Sequence, residues 1–148
     1  MSDAQYGTPV TDRLAAAFVA CTLPEAEWTH EAHLRVALWH RLRMPAGESL
    51  AALRERIRHY NESLGNENSD TDGYHETITR FYVILIDRFV AAADVTRGID
   101  ELADELIARL GFRGLPLDYY SPDRLFSVEA RRAWVAPDLA PLPPGPLA

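Results

Sequence analysis

Apolar residues recur at helical spacing in five stretches of the chain, and this pattern excludes most fold classes. In residues 48–62, a stripe of Leu50, Leu53, Ile57 and Tyr60 lies opposite the charged residues. Residues 74–93 are rich in aromatic and β-branched side chains, but their apolar positions keep the helical period rather than the alternation of a strand. The sequence therefore predicts an all-α fold, an up-and-down bundle of about five main helices.

Capping and turn residues set the limits of these helices. Thr29 is the predicted N-cap of the second helix, which ends before Pro45, and Gly111 ends the fifth. The five predicted helices span residues 10–21, 30–44, 48–62, 74–93 and 99–110. Short helical turns are expected after Ser121 and within residues 127–134. We expect one domain with its core in residues 10–134, and an extended proline-rich C-terminal wrap over residues 136–148.

Composition narrows the possible partners and the cellular location. The 148 residues carry a net charge of −7, and no Lys/Arg-rich run offsets it. Nucleic acids and anionic membranes would therefore be repelled, and we expect neither as a partner. No apolar run approaches about 18 residues, and the N-terminus lacks the features of a leader, so a soluble cytoplasmic protein is expected. The single cysteine, Cys21, excludes an internal disulfide and is expected to be a small core residue rather than a ligand.

The segment Asn68-Ser-Asp-Thr-Asp-Gly-Tyr-His-Glu-Thr partly matches a calcium-binding EF-hand loop. Its polar residues and Gly73 fit the first six positions of such a loop. Thr79, however, stands at the twelfth position, where a bidentate glutamate normally closes the calcium shell. We therefore predict a helix cap here, supplied by Asp70, Thr71 or Asp72.

The helical phase of the five histidines separates them into groups. His75 falls within the apolar stripe of the fourth helix and should point inward, whereas His59 lies opposite the stripe of the third. His30 and His33 are neighbours at i and i+3 on the first turn of the second helix. His40 lies about 10 Å farther along that helix, too far to share a ligand with them.

Antiparallel packing of successive helices would gather one set of polar residues at the same end of the bundle. We predict that His30, His33 and His75 bind zinc or another first-row divalent metal, which would activate water or polarise a carbonyl. The predicted proton carriers are Glu76, Tyr60 and Tyr119. The predicted substrate-binding residues are Asn61, Arg113 and Tyr120, the last two in a segment that could form a lid.

These residues allow three classes of function. The first is a small-molecule enzyme of hydrolase, lyase or isomerase type that depends on the metal. The second is a metal-free small-molecule pocket with His75 as general base. The third is an interaction protein with structural histidines, such as a homodimer in which the apolar second helix packs against another subunit. No nucleophile elbow, phosphate-cradling glycine loop or dinucleotide fingerprint is present, so no nucleotide or flavin cofactor is expected.

Three sequence patterns resemble those of a group of small bacterial helical proteins that has no assigned activity. The resemblance implies a helical fold and lends no function. The H-x-x-H pair with a third, distant histidine is also similar to metal-binding bundles of the DinB type, but the spacing and helix order differ from that family. The patterns shared with the first group are Thr29-His30-Glu31-Ala32-His33-Leu34, Tyr60-Asn61-Glu62 and Gly73-Tyr74-His75-Glu76-Thr77.

Overall fold

A computed structural model of the chain describes residues 7–144, and within them the protein is all-helical, without a strand. The all-α bundle predicted from the periodicity is confirmed. The helices are α1 (Val10–Val19), α2 (His30–Arg43), α3 (Ala46–Ser63), α4 (Glu76–Ala92), α5 (Ile99–Leu110), α6 (Pro122–Leu125) and α7 (Val128–Arg132). Short 3₁₀ turns at Glu25–Glu27 and Leu115–Asp118 lie in the connections. No helix in the described residues is long and apolar enough to cross a membrane.

Helix α2 is central, because it packs against α1, α3, α4 and α5. Its apolar residues point in several directions, and Leu34, Val36 and Leu38 are all fully buried. Other helices of the same chain therefore cover the apolar surface of α2 that suggested a homodimer. Aromatic rings fill much of the remaining core, so burial of apolar surface is the main stabilising contribution. The largest fully buried aromatic side chains are Tyr60, Tyr120, Phe18, Phe81 and Phe89.

Helix starts agree with the sequence in one case and differ in another. Thr29 caps α2 as predicted, because its hydroxyl accepts a hydrogen bond from the Ala32 N–H. The prediction that Asp70, Thr71 or Asp72 caps the fourth helix is wrong. His75 holds that position, and its Nδ1 accepts from the Ile78 N–H at 3.1 Å. Helix α1 ends two residues earlier than predicted, and Cys21 follows it with a left-handed φ of 59°.

The C-terminal segment binds back onto the bundle after α7. The Thr77 hydroxyl donates to the Ala133 carbonyl and accepts from the Val135 N–H, which ties the segment to α4. The Tyr120 hydroxyl donates to the Val135 carbonyl at 2.7 Å. Residues 133–144 contain no regular element, in agreement with the predicted irregular wrap. Residues 1–6 and residues 145–148 of the predicted C-terminal wrap lie outside the described range.

Candidate functional site

A cavity of about 260 Å³ opens between α2, α3 and α4. Most of its wall is apolar, and the polar groups are concentrated on three elements. His30 and His33 come from α2, Thr79 and Tyr82 from α4, and Arg113 from the segment after α5. This combination of an apolar wall and a few polar groups is typical of a small-molecule pocket. The apolar lining is formed by Trp28, Leu34, Ala37, Leu53, Ile57, Ile78 and Val83.

His33 is held in one orientation by its neighbours. Its Nδ1 lies 2.6 Å from the Thr29 carbonyl oxygen. Because a carbonyl can only accept, Nδ1 carries the proton, and the Nε2 of the neutral ring has a free lone pair. The indole of Trp28 stacks on the imidazole with ring centroids 3.7 Å apart. The first turn of α2 thus presents a neutral base with a fixed tautomer.

Two buried polar atoms of the pocket residues have no hydrogen-bond partner in the described part of the chain: His30 Nε2 and Tyr82 OH. Their rings contact each other edge to face, with centroids 5.6 Å apart. Trp39, Ser49 and Arg97 also have a buried atom without a hydrogen-bond partner, but none of the three lines this pocket. Because buried polar groups in proteins are nearly always paired, two unpaired groups at one cavity indicate a place where a ligand supplies the partner.

Burial and the charge of Arg113 set the protonation states in the pocket. Desolvation lowers the pKa of His30, and the Arg113 guanidinium lowers it further. His33 is partly exposed to solvent. The protein atoms packed around its ring nevertheless lower its pKa by desolvation, and this effect exceeds the opposing effect of the hydrogen bond to Thr29. Burial raises the pKa of Tyr82 to about 12. At neutral pH both imidazoles are therefore neutral and the phenol is protonated.

The structure does not assemble the predicted set of three metal ligands. Both ring nitrogens of His75 are engaged, since Nδ1 accepts from Ile78 and Nε2 donates to the Leu125 carbonyl at 2.7 Å. Its side chain therefore caps α4 and binds the end of α6. It does not line the pocket with His30 and His33. Across residues 7–144, no three His, Cys, Asp or Glu side chains are grouped so that they could hold a metal ion.

Glu76 is placed in a different environment from the one predicted for a proton carrier. Arg54 clamps its carboxylate with two hydrogen bonds of 2.8 Å, and the Tyr74 hydroxyl donates a third. The bond from Arg54 is the main reason that the pKa of Glu76 lies below its ordinary value. The carboxylate is therefore ionised, and both of its oxygens accept hydrogen bonds. It faces away from the histidine pocket, into a second groove described below.

The remaining predicted site residues are distributed over the structure. Arg113 lines the pocket, and its role in substrate binding stays a prediction. Tyr60 is fully buried and donates to the Leu23 carbonyl, while Tyr120 donates to the C-terminal segment. Asn61 donates to Asn68 in the α3–α4 loop, and Tyr119 packs against the core beside Phe81. None of these four lines the pocket. Cys21 is partly exposed, has a free thiol, and also lies outside it.

Sequence reasoning missed Tyr82 as a site residue. Its position on the apolar stripe of α4 was visible, but a tyrosine at such a position is usually a core residue whose hydroxyl finds a protein partner. His40 was correctly separated from the pocket histidines. It is fully buried, donates from Nδ1 to the Val36 carbonyl, and accepts at Nε2 from Arg56.

Comparisons of the chain with protein-family models, with curated proteins and with solved structures found no match.

Proposed function

We propose that this protein binds a small, largely apolar molecule that carries a carbonyl or carboxylate oxygen, and transforms it by proton transfer. The observation that carries the proposal is the cavity of about 260 Å³ whose polar lining includes two buried, unpartnered groups, His30 Nε2 and Tyr82 OH. Leaving such a group without a protein partner costs stability, because the group gives up hydrogen bonds that it makes to water in the unfolded chain. That cost is typical of a site in which a ligand completes the hydrogen bonds.

His33 has the properties of a general base. Its Nδ1–H is fixed on the Thr29 carbonyl, and its pKa is lowered, so Nε2 is unprotonated at neutral pH. Stacking on Trp28 limits the rotation of the ring. A base held in this way takes a proton from a bound molecule without first losing its own. This role replaces the earlier assignment of His75, whose lone pair is used by the helix cap.

Tyr82 and His30 supply two further hydrogen-bonding groups for the ligand. The protonated Tyr82 hydroxyl is able to donate to a carbonyl oxygen of the ligand, and this bond strengthens as negative charge develops on that oxygen. His30 Nε2 is able to pair with a second polar atom. Arg113 is exposed beside the pocket, where its guanidinium suits a ligand carboxylate. A lyase or isomerase that removes a proton from the carbon next to a carbonyl uses such a base together with a hydrogen-bond donor to the carbonyl oxygen. A hydrolase uses the same base to activate water.

The test is a ligand-observed NMR screen with small ketones and branched or aromatic carboxylic acids, followed by titration of each hit. We expect hits whose affinity falls about tenfold or more in Tyr82→Phe and in His30→Ala, because each variant removes one hydrogen-bonding group. His59→Ala is the matched control, since His59 is exposed and lies outside the pocket. Hits that bind equally to all variants, or no hits from the whole library, contradict the proposal.

Metal binding at the histidines stays a prediction, and one measurement separates it from the metal-free proposal. Elemental analysis of tag-free protein purified without chelator is compared among wild type, His30→Ala and His75→Ala. The proposal expects ligand binding that survives chelation and does not depend on His75. Near-stoichiometric metal that is lost in both variants would instead support the metal-dependent enzyme.

A further inference from the structure

A second groove of about 520 Å³ lies on another side of α3 and α4, where the α3–α4 loop and α7 meet them. Five arginines line it: Arg54, Arg58, Arg80, Arg131 and Arg132. We call it the arginine groove. It shares no lining residue with the histidine pocket, so the two sites make independent predictions.

The charge of the arginine groove is opposite to that of the whole chain. Among the described residues that line it, five guanidinium groups face two carboxylates, those of Asp70 and Glu76, which leaves a formal excess of three positive charges. The chain as a whole has a net charge of −7. A concentration of positive charge in one concave place on an acidic protein attracts small anions locally, although the net charge repels large polyanions.

Two of the arginines build the groove. Arg54 forms the bidentate pair with the buried Glu76 carboxylate. Arg132 forms a similar pair with Asp70, with contacts of 2.7 and 2.5 Å, which joins α7 to the α3–α4 loop. These pairs neutralise both carboxylates. The positive excess of the groove therefore resides on the other three arginines.

Those three arginines keep most of their donors available. In residues 7–144, neither the Arg58 nor the Arg80 side chain makes a hydrogen bond or ion pair. The Arg80 guanidinium lies 5.0 Å from the centre of the Trp134 ring, and its charge helps to lower the pKa of Glu76. Arg131 uses one terminal nitrogen on the Gly73 and Tyr74 carbonyls. That contact anchors the Arg131 side chain and leaves other N–H groups of its guanidinium for a ligand.

We propose that the arginine groove binds the phosphate group of a small organic phosphate. Several guanidinium forks match the oxygens of a phosphate, and a phosphate dianion neutralises more of the excess charge than a single carboxylate does. The Trp134 ring beside Arg80 gives the organic part an aromatic surface to contact. The groove supplies no long basic track of the kind that a nucleic acid needs.

The test is isothermal titration calorimetry at constant ionic strength with phenyl phosphate, inorganic phosphate and benzoate as probes. The informative variant is the double substitution Arg58→Gln and Arg80→Gln, because neither side chain holds a carboxylate and the fold should be unaffected. Arg13→Gln is the charge control, since Arg13 is exposed on α1 and lies outside the groove. Circular dichroism checks that all variants fold.

We expect phenyl phosphate to bind with one-to-one stoichiometry and at least as tightly as inorganic phosphate. The double variant should weaken it about tenfold or more, Arg13→Gln should leave it unchanged, and benzoate should bind much more weakly. Equal weakening by Arg13→Gln, or no saturable binding up to about 10 mM phenyl phosphate, would overturn the proposal. Benzoate binding as tight as that of phenyl phosphate would overturn the assignment to phosphate.

Discussion

The start of α4 and the histidine pocket contain the same kinds of side chain in opposite states. At the helix start, His75 and Glu76 are buried, and every polar atom that their side chains offer has a partner. In the pocket, His30 and Tyr82 each have a buried atom that finds no partner among residues 7–144. The comparison teaches that a buried histidine or carboxylate indicates function only after its hydrogen bonds have been accounted for.

The difference has a direct energetic consequence. Paired groups at the start of α4 should stabilise the fold, and removing one should leave its partners unsatisfied. Unpaired groups in the pocket should slightly destabilise the fold, because each is desolvated without gaining a hydrogen bond. Removing such a group should therefore not lower the stability. Substitutions in the two regions should therefore separate stability from binding.

The largest effect is expected at the carboxylate clamp. Glu76→Ala leaves the buried Tyr74 hydroxyl and the Arg54 guanidinium without their acceptor. We expect a loss of about 2–3 kcal/mol in the free energy of unfolding, measured by urea denaturation. Arg54 is partly exposed and can turn to water, so the upper end of the range for a buried pair is not expected.

Glu55→Ala, at an exposed position on the neighbouring α3, is the control for this substitution and should change stability little. Ligand binding in the histidine pocket should survive Glu76→Ala once the fraction of folded protein is accounted for. A variant of wild-type stability that has lost pocket binding would contradict the structural role and favour Glu76 as a proton carrier.

The next effect concerns His75, where two substitutions distinguish a helix cap from a chemical role. His75→Ala removes the cap and the bond to Leu125, and we expect a loss of about 2 kcal/mol in unfolding free energy. His75→Asn restores a strong capping side chain, so about half of that loss should be recovered. Thermal and urea unfolding measure both. If asparagine recovers nothing, the cap is not the main role of His75.

The distance between partners along the chain determined what the sequence could predict. The helices, the central position of α2, the Thr29 cap and the His30–His33 neighbour pair all depend on residues within about two turns of each other, where helical geometry is decisive. His75 was correctly placed on the inward face of its helix. Its partner Leu125 is 50 residues away, however, and no local pattern signals that bond.

The errors at the site have the same cause, which is the long distance along the chain between interacting residues. Arg54 precedes Glu76 by 22 residues, so the clamp was invisible and the carboxylate remained a candidate proton carrier. Tyr82 presented the converse problem. Its phase predicted burial, but only the surrounding structure shows that its hydroxyl has no partner.

A smaller effect is expected when pH falls. Burial lowers the pKa of His75 and of His40, and each ring is held neutral by one donated and one accepted hydrogen bond. In the unfolded chain these histidines have an ordinary pKa near 6.5, so the unfolded state takes up protons before the folded state does as the pH falls. Stability is complete above about pH 6.5 and decreases as the pH falls toward the lowered pKa values, and the lowered pKa values of His30 and His33 add to this decrease.

Urea denaturation across this interval measures the slope, and His75→Asn should reduce it because one titrating group is removed. Arg131 near His75 and Arg56 beside His40 add to the cost of protonation. The clamp carboxylate of Glu76 titrates at lower pH, since its pKa is below the ordinary value. An unchanged slope in His75→Asn would show that His75 does not titrate on unfolding.

The smallest effect on stability, and the most informative about function, is expected for Tyr82→Phe. The substitution removes a buried hydroxyl without a partner and keeps the ring against His30 and Phe81. Unfolding free energy should change by less than about 0.5 kcal/mol or rise slightly, because no hydrogen bond is lost. Binding of a pocket ligand should nevertheless weaken about tenfold, as measured by NMR titration. Stability that is kept while affinity is lost is the pattern of a residue retained for its ligand. A loss of about 2 kcal/mol in stability would instead mean that the hydroxyl has a partner within the fold, and that the pocket resembles the start of α4 after all.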